Sequence, residues 1–356
     1  MKVVAWPAVA NRHDNPYNWL LYSEVAKEGV DVLEFRPRRV LDGTADIWHL
    51  HWPDALLNDK SRTRVIRDVS GTLALVRIAR ARGTAIVWTV HNLSSHDGRY
   101  PEIEKRYWSA FTSQLDGIIS PSRAGLSGAV SRWPTLGNVP SFVIPLGHYR
   151  AVFSAPPDRA AARADLGIAP DAKVVAFVGQ VRTYKDVPAL ARAFRGEPDP
   201  KLRLVVAGRP EDETTARQVR DAVGSDERIL LRLAFIPDGD LQSIVRAADL
   251  VVLPYQNILN SGSALLALSL DCPILVPDRG AMAELVEDVG AEWVRTYGGP
   301  LTTDTLASAV SWATTTTRAP TAPLTAFEWP QIASATVDAY DQIVYFRRHR
   351  RTKPGV

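Results

Sequence analysis

A single cysteine, Cys272, stands in 356 residues, so the chain can form no intrachain disulfide and must hold its fold by packing, as proteins of reducing compartments do. Beside Pro273 it reads as a small buried residue. No segment approaches the roughly 18 uninterrupted apolar residues of a membrane span, and the opening MKVVAWPAVANRHDN turns polar too soon for a signal peptide. A soluble or peripheral, cytoplasmic protein is therefore expected. The phosphate loop GxxxxGK[ST] is missing, and no GxGxxG follows a strand, which speaks against P-loop ATPases and dinucleotide-dependent dehydrogenases. The histidine spacings match neither HExxH nor a Cys-rich pattern, so no metal is expected. No nucleic-acid-binding motif is present either.

Charge is present but uneven. Residues 1–150 carry 19 Lys and Arg against 14 Asp and Glu, residues 151–346 carry 18 against 25, and the tail RRHRRTK adds five more cations. The segment SRTRVIRDVSGTLALVRIARARG places RTRVIR and RIARAR on one expected helix, which suits either a solvated face or an anionic membrane surface.

Short β-rich runs alternate with segments of helical period along most of the chain, the pattern of α/β architecture with parallel sheets. KVVAWPAV, VDVLEF, ADIWHLHW, TAIVWTVHN, GIISPS and SFVIPLG are the expected strands of a first half. The Pro- and Ala-rich AVFSAPPDRAAARADLGIAPDAK interrupts them, placing a domain boundary near 150–170. A second half restarts with KVVAFVGQV and continues through LRLVVAG, RILLRLAFI, LVVLPY, CPILVP and AEWVRTY. The last segment, AFEWPQIASATVDAYDQIVYFRRHR, reads as helical on both sides of Pro330.

In doubly wound sheets ligands bind beyond the carboxyl ends of the strands. Polar residues collect there: Arg12, His13, Asp14 and Asn15 after the first strand, His49, His51 and Asp54 after the third, His91, Asn92, His96 and Asp97 after the fourth. Several imidazoles and two carboxylates converging on one edge are what proton transfer needs. The second half offers anion chemistry instead. GQVRTYKD sets Gly179 in a tight turn with Arg182 as a forked donor and Lys185 as a mobile point charge. NSGSALLALSL opens a helix, with Asn260 or Ser261 as cap and Gly262 allowing a phosphate to approach the free backbone N–H groups.

These residues, and the two α/β halves that carry them, resemble glycosyltransferases of the GT-B fold, in the broad group that includes family 4, over essentially the whole chain. More narrowly, HLHWPD, TVHNLSSHD, GHYRAVF, VGQVRTYKD and LPYQNILNSGSALLALSL are similar, in order and approximate spacing, to motifs of bacterial exopolysaccharide β-mannosyltransferases of the xanthan-pathway type. The resemblance implies two Rossmann-like doubly wound domains facing across a cleft. Residues 1–155 would bind the acceptor, 165–325 the nucleotide sugar, and 326–356 would cross back as a helix with a basic tail. It implies an inverting, metal-independent hexosyl transfer from a nucleotide sugar, GDP-mannose ahead of a UDP-sugar, to a glycan or lipid-linked acceptor. Asp97 or Asp54 would be the base, with His91 and His96 beside them. Gly179, Arg182, Lys185, Tyr255, Asn260, Ser261, Gly262 and Ser263 would hold the donor, and His13, Asn15, His51 and Asn92 the acceptor. One departure stands out: the glutamate pair usual in family 4 would fall at Ile258 and Leu266, so the ribose must be held otherwise. Two other functions fit this architecture, a sugar-nucleotide epimerase and a non-catalytic nucleotide-sugar-binding protein.

Overall fold

A computed structural model describes residues 1–95, 98–153, 155–256 and 259–350. The chain forms two units, Met1–Gly147 with the segment from Ala326 onward, and His148–Thr325.

Strands β1 (Lys2–Trp6), β2 (Asp31–Glu34), β3 (Ile47–Leu50), β4 (Ala85–Thr89), β5 (Gly117–Ser120) and β6 (Ser141–Val143) make the sheet of the first unit. All are parallel, in the order β2-β1-β3-β4-β5-β6. Every residue of β3, β4 and β5 is buried, as expected of central strands covered by helices on both faces. The helix Arg62–Ala81 buries Val65, Val69, Thr72, Val76 and Ala79, a single stripe at helical spacing. Ser61 caps its start, and the chain leaves it through Arg82 and Gly83.

The expectation of helix on both sides of Pro330 needs correcting. The terminal helix begins at Trp329, preceded only by a 3₁₀ turn at Thr325–Phe327, and runs to Arg350. Pro330 thus lies in the first turn, where a missing N–H costs nothing because that turn has no carbonyl to bond. The helix reaches the sheet at Gly117, where a Cβ would stand 2.4 Å from the Ile343 side chain, so only glycine permits the approach. It is fastened by the buried pair of Arg347 Nη1 and Asp116 Oδ2 at 2.6 Å, and Arg80 Nη2 reaches the other Asp116 oxygen at 2.9 Å.

The second unit carries β7 (Lys173–Val178), β8 (Leu202–Ala207), β9 (Ile229–Arg232), β10 (Leu250–Val252), β11 (Ile274–Pro277) and β12 (Val294–Tyr297). They are again parallel, in the order β12-β11-β10-β7-β8-β9. Counted from β7, that is the dinucleotide-fold order 3-2-1-4-5-6 read in reverse. Each sheet has one point where the chain, having added strands on one side of its first strand, returns to the other side. In the first unit this lies between β1 and β3, in the second between β7 and β10. Loops on opposite faces leave a crevice at such a point, which is where ligands of this class of sheet bind.

Candidate functional site

In the second unit, the crevice is flanked by the turn after β7 and the helix Gly262–Ser269 after β10. Gly179 turns with φ +117°, and a Cβ there would stand 2.6 Å from Ser263 Oγ and 3.3 Å from Lys185 Nζ. A hydroxyl from one side and an ammonium from the other therefore converge on one stretch of bare backbone. Ser261 rather than Asn260 caps the helix, its Oγ accepting from the Ala264 N–H at 3.1 Å. The N–H groups of Gly262 and Ser263 lie in the first turn, which has no helical carbonyls to receive them. The two sides are tied together by the Gln256 N–H, which donates to the Tyr184 carbonyl at 2.8 Å.

Lys185 is not the mobile point charge expected. It closes the 3₁₀ turn Thr183–Lys185 and is buried, with its Nζ 5.1 Å from the centre of the Tyr255 ring. Burial lowers the pKa of this ammonium, Tyr184 opposes the shift, and the Arg182 charge reinforces it. No carboxylate pairs with Lys185 among the described residues. Tyr255 is itself fully buried, which pushes its phenol up to about 12 against the opposing Ser263 and Ser261 hydroxyls. Arg182 is half-buried, its Nε donating to Gln180 Oε1 at 3.0 Å. Asn260 is half-buried at the entrance to the capping turn.

In the first unit, the crevice is flanked by the loop after β1 and the segment after β3. His13 is exposed on that loop, and Asn15 lies just ahead of the next helix, whose N-cap is Pro16, its Oδ1 accepting from the Tyr17 N–H at 3.1 Å. Asp54 stands in the first turn of a 3₁₀ helix, Pro53–Leu57, buried and accepting from Asn92 Nδ2 at 3.0 Å. Sequence spacing thus brings Asp54 and Asn92 together from two different strand ends. His96 and Asp97 lie outside the described residues.

The histidines sit deeper than expected. His49 belongs to β3 itself and is fully buried, so it is a core residue and not a strand-end one. His51, expected to touch the acceptor, is also fully buried with both ring nitrogens engaged, Nε2 by Tyr22 at 2.6 Å and Nδ1 by His91 Nε2 at 3.1 Å. Only His91 stands at the edge, 9% exposed, stacked on Trp52 at 4.4 Å and met edge-on by Tyr17. Burial holds His91 and His49 neutral, their pKa values lowered to about 3. Tyr22, Thr89 and Tyr340, which join these imidazoles, were not singled out by sequence. Each occupies an ordinary core position of its helix or strand, and nothing in local spacing marks a hydroxyl facing an imidazole.

A cavity of about 700 Å³ lies against the helix Pro101–Thr112, lined by Ser94 and Ser95 from the loop after β4, by Glu104, Lys105 and Trp108 of that helix, and by Arg132 and Trp133. Glu104 is committed to structure, accepting from the N–H and Oγ of Ser95 at 2.7 Å each. Among the described residues no group of three or more His, Cys, Asp or Glu could hold a metal ion, and no helix is long and apolar enough to cross a membrane.

Residues 158–297, within the second unit, match the family model for glycosyl transferases group 1. Over 338 residues, 93% of this chain and 89% of its relative, the sequence is 30% identical to a GDP-mannose:glycolipid 4-beta-D-mannosyltransferase of Xanthomonas campestris pv. campestris. The fold is similar to a sucrose-phosphate synthase from Thermosynechococcus elongatus, with a TM-score of 0.67 at 15% identity over 97% of this chain and 99% of that one. It is likewise similar to HepE of Anabaena, solved in complex with UDP and glucose, with a TM-score of 0.64 at 15% identity over 99% and 98%. Whole-length sequence identity favours transfer over the epimerase and binding-protein alternatives: the chain belongs to the group 1 glycosyl transferases and is a glycosyltransferase of the GT-B fold.

Proposed function

We propose that this protein transfers mannose from GDP-mannose to a lipid-linked saccharide, with inversion and without a metal ion. The observation that carries the reading is the 30% identity along 93% of the chain to a relative whose name states that donor and a glycolipid acceptor. The site supports it physically. A buried ammonium without a carboxylate partner is costly unless an anion completes it, and Lys185 stands beside Ser263 and the free N–H groups of the Gly262–Ser269 helix. A diphosphate seated there would be held through backbone N–H groups, Lys185 and Arg182, with Gly179, Ser261 and Asn260 shaping the seat and Tyr255 walling it. Charge that develops on the departing diphosphate is then met by donors already in place.

On the acceptor side, we assign Asp97 or Asp54 to deprotonate the attacking hydroxyl, and His13, Asn15 and Asn92 to contact the acceptor saccharide. The helix Arg62–Ala81 exposes Ile66 and Ile78 among Arg62, Arg64, Arg67 and Arg77, a face suited to the anionic inner surface of the cytoplasmic membrane, where a lipid-linked acceptor would reside.

Calorimetry with GDP, UDP, GDP-mannose and UDP-glucose tests the donor assignment. GDP and GDP-mannose should bind, and should raise the melting temperature because a ligand of the folded state alone stabilises it. Preference for UDP and UDP-glucose would overturn the choice of donor.

A further inference from the structure

The buried imidazoles behind His91 form a continuous chain. Thr89 Oγ1 lies 2.7 Å from His49 Nε2, and His49 Nδ1 lies 2.7 Å from Tyr340 OH and 2.9 Å from Tyr22 OH. Tyr22 OH lies 2.6 Å from His51 Nε2, and His51 Nδ1 lies 3.1 Å from His91 Nε2. His91 Nδ1 has no partner among the described residues. All six side chains are buried, so no bulk water can rearrange these contacts.

Proton counting makes the chain directional. A neutral imidazole has one N–H and one lone pair. If His51 carries its proton on Nε2, its Nδ1 must accept from His91 Nε2–H, and His91 shows a bare Nδ1. If His51 carries it on Nδ1, His91 Nε2 must accept, and His91 shows an Nδ1–H. The two rings are thus locked together, and what decides between the states is the group on His51 Nε2. That group is a phenol. Phenol O–H is a stronger acid than imidazole N–H, and imidazole nitrogen a stronger base than phenol oxygen, so the stable bonds run O–H to N. The two shortest phenol–imidazole contacts are Tyr22 to His51 Nε2 and Tyr340 to His49 Nδ1. The Tyr22 and Tyr340 hydroxyls also meet each other, but a neutral imidazole is the stronger acceptor, so satisfying both imidazoles uses each phenol proton once, leaves that hydroxyl contact without a proton, and leaves His49 Nε2–H to donate to Thr89.

We infer that Tyr22 and His51 are positioning residues that lock His91 as its Nδ1–H tautomer, so that this edge presents a neutral hydrogen-bond donor, not a base, to an oxygen of the bound substrate. Stacking on Trp52 fixes the plane of the ring. Tyr340 brings the terminal helix into the same arrangement, which gives that helix a part in the site as well as in the fold. Removal of the acceptor proton then falls to a carboxylate. The inference rests on reading this edge as part of the transfer site.

The test is direct. Protein labelled with ¹⁵N-histidine, with signals identified by comparison with His91→Asn, should show His51 and His91 as neutral Nδ1–H tautomers at pH 7, the form less favoured by free histidine. An Nε2–H signal for His91 overturns the lock. His91→Asn, whose amide nitrogen occupies the Nδ1 position, should retain much of the turnover, whereas His91→Gln and Tyr22→Phe should lose about tenfold in kcat, the scale of one lost substrate hydrogen bond, with donor KM little changed. Tyr22→Phe should also restore Nε2–H signal at His91. If Gln serves as well as Asn, the donor role is wrong; if both are fully active with the predicted tautomer present, the reading of this edge as the transfer site is overturned instead.

Discussion

Gly179→Ala should cripple donor binding while leaving the protein folded. The backbone at this position has φ +117°, and an L side chain held in an unfavourable backbone region costs about 1–2 kcal/mol. Its Cβ would arrive 2.6 Å from Ser263 Oγ and 3.3 Å from Lys185 Nζ. Ser263 Oγ is a side-chain end that can rotate away, and buried Lys185 must give by a few tenths of an ångström, so the crowding is relieved by displacing the two groups we assign to the diphosphate. Losing a hydrogen bond to a charged group removes about 1.5–3 kcal/mol, a fall in affinity of roughly ten- to a hundredfold. Gly167→Ala is the control, because it too has positive φ, +66°, but nothing within 4 Å of the added carbon. Both variants should melt lower than the parent. Only Gly179→Ala should lose affinity for GDP in calorimetry. Equal, undiminished affinities in the two variants would show that the diphosphate lies elsewhere.

Lys185 predicts a signature in pH. Its pKa is depressed below 10.5 mainly by burial, so it releases its proton earlier than an unfolded lysine would. Between the two values the unfolded chain binds more protons, and the stability of the ligand-free protein should rise with pH there, while affinity for GDP falls as the ammonium is lost. Lys185→Met should abolish both trends, and persistence of either in that variant would refute the assignment. Asp116→Ala removes the carboxylate that Arg347, buried at 6% side-chain exposure, meets at 2.6 Å, and should cost about 3–5 kcal/mol in chemical unfolding; a loss under 1 kcal/mol would show that this ion pair is not what fastens the terminal helix. Asp97→Asn or Asp54→Asn should lower turnover by about a hundredfold or more, as loss of a general base does, with donor affinity intact. If both variants keep most of their turnover, the base is another group.

Much of the architecture could be read from the residues. The alternation of β-rich runs with helical periods marks both parallel sheets, because buried strands and amphipathic helices differ in period as well as composition. The NSGS turn announced a capped helix, and its cap is Ser261. What escaped was depth. His49 and His51 lie one on either side of Leu50 at the end of a strand buried on both faces, so alternation offers no polar side for either to face. Lys185 carries the same ambiguity, since a lysine in a loop gives no sign that Tyr255, after a later strand, will cover it. The partnership of Tyr340 with His49 spans 291 positions and depends on where the terminal helix docks, which no local pattern specifies.

The measurement that bears most directly on the central claim is transfer itself. Purified protein, GDP-mannose labelled in the sugar and lipid-linked saccharide acceptors would be incubated without divalent metal, and the product's anomeric configuration read by NMR. The account predicts a mannosylated lipid-linked product with a β linkage, formed equally well in the presence of a chelator. An α-linked product would contradict the inverting chemistry, and failure to transfer mannose to any acceptor alongside active transfer from a UDP-sugar would contradict the assigned donor.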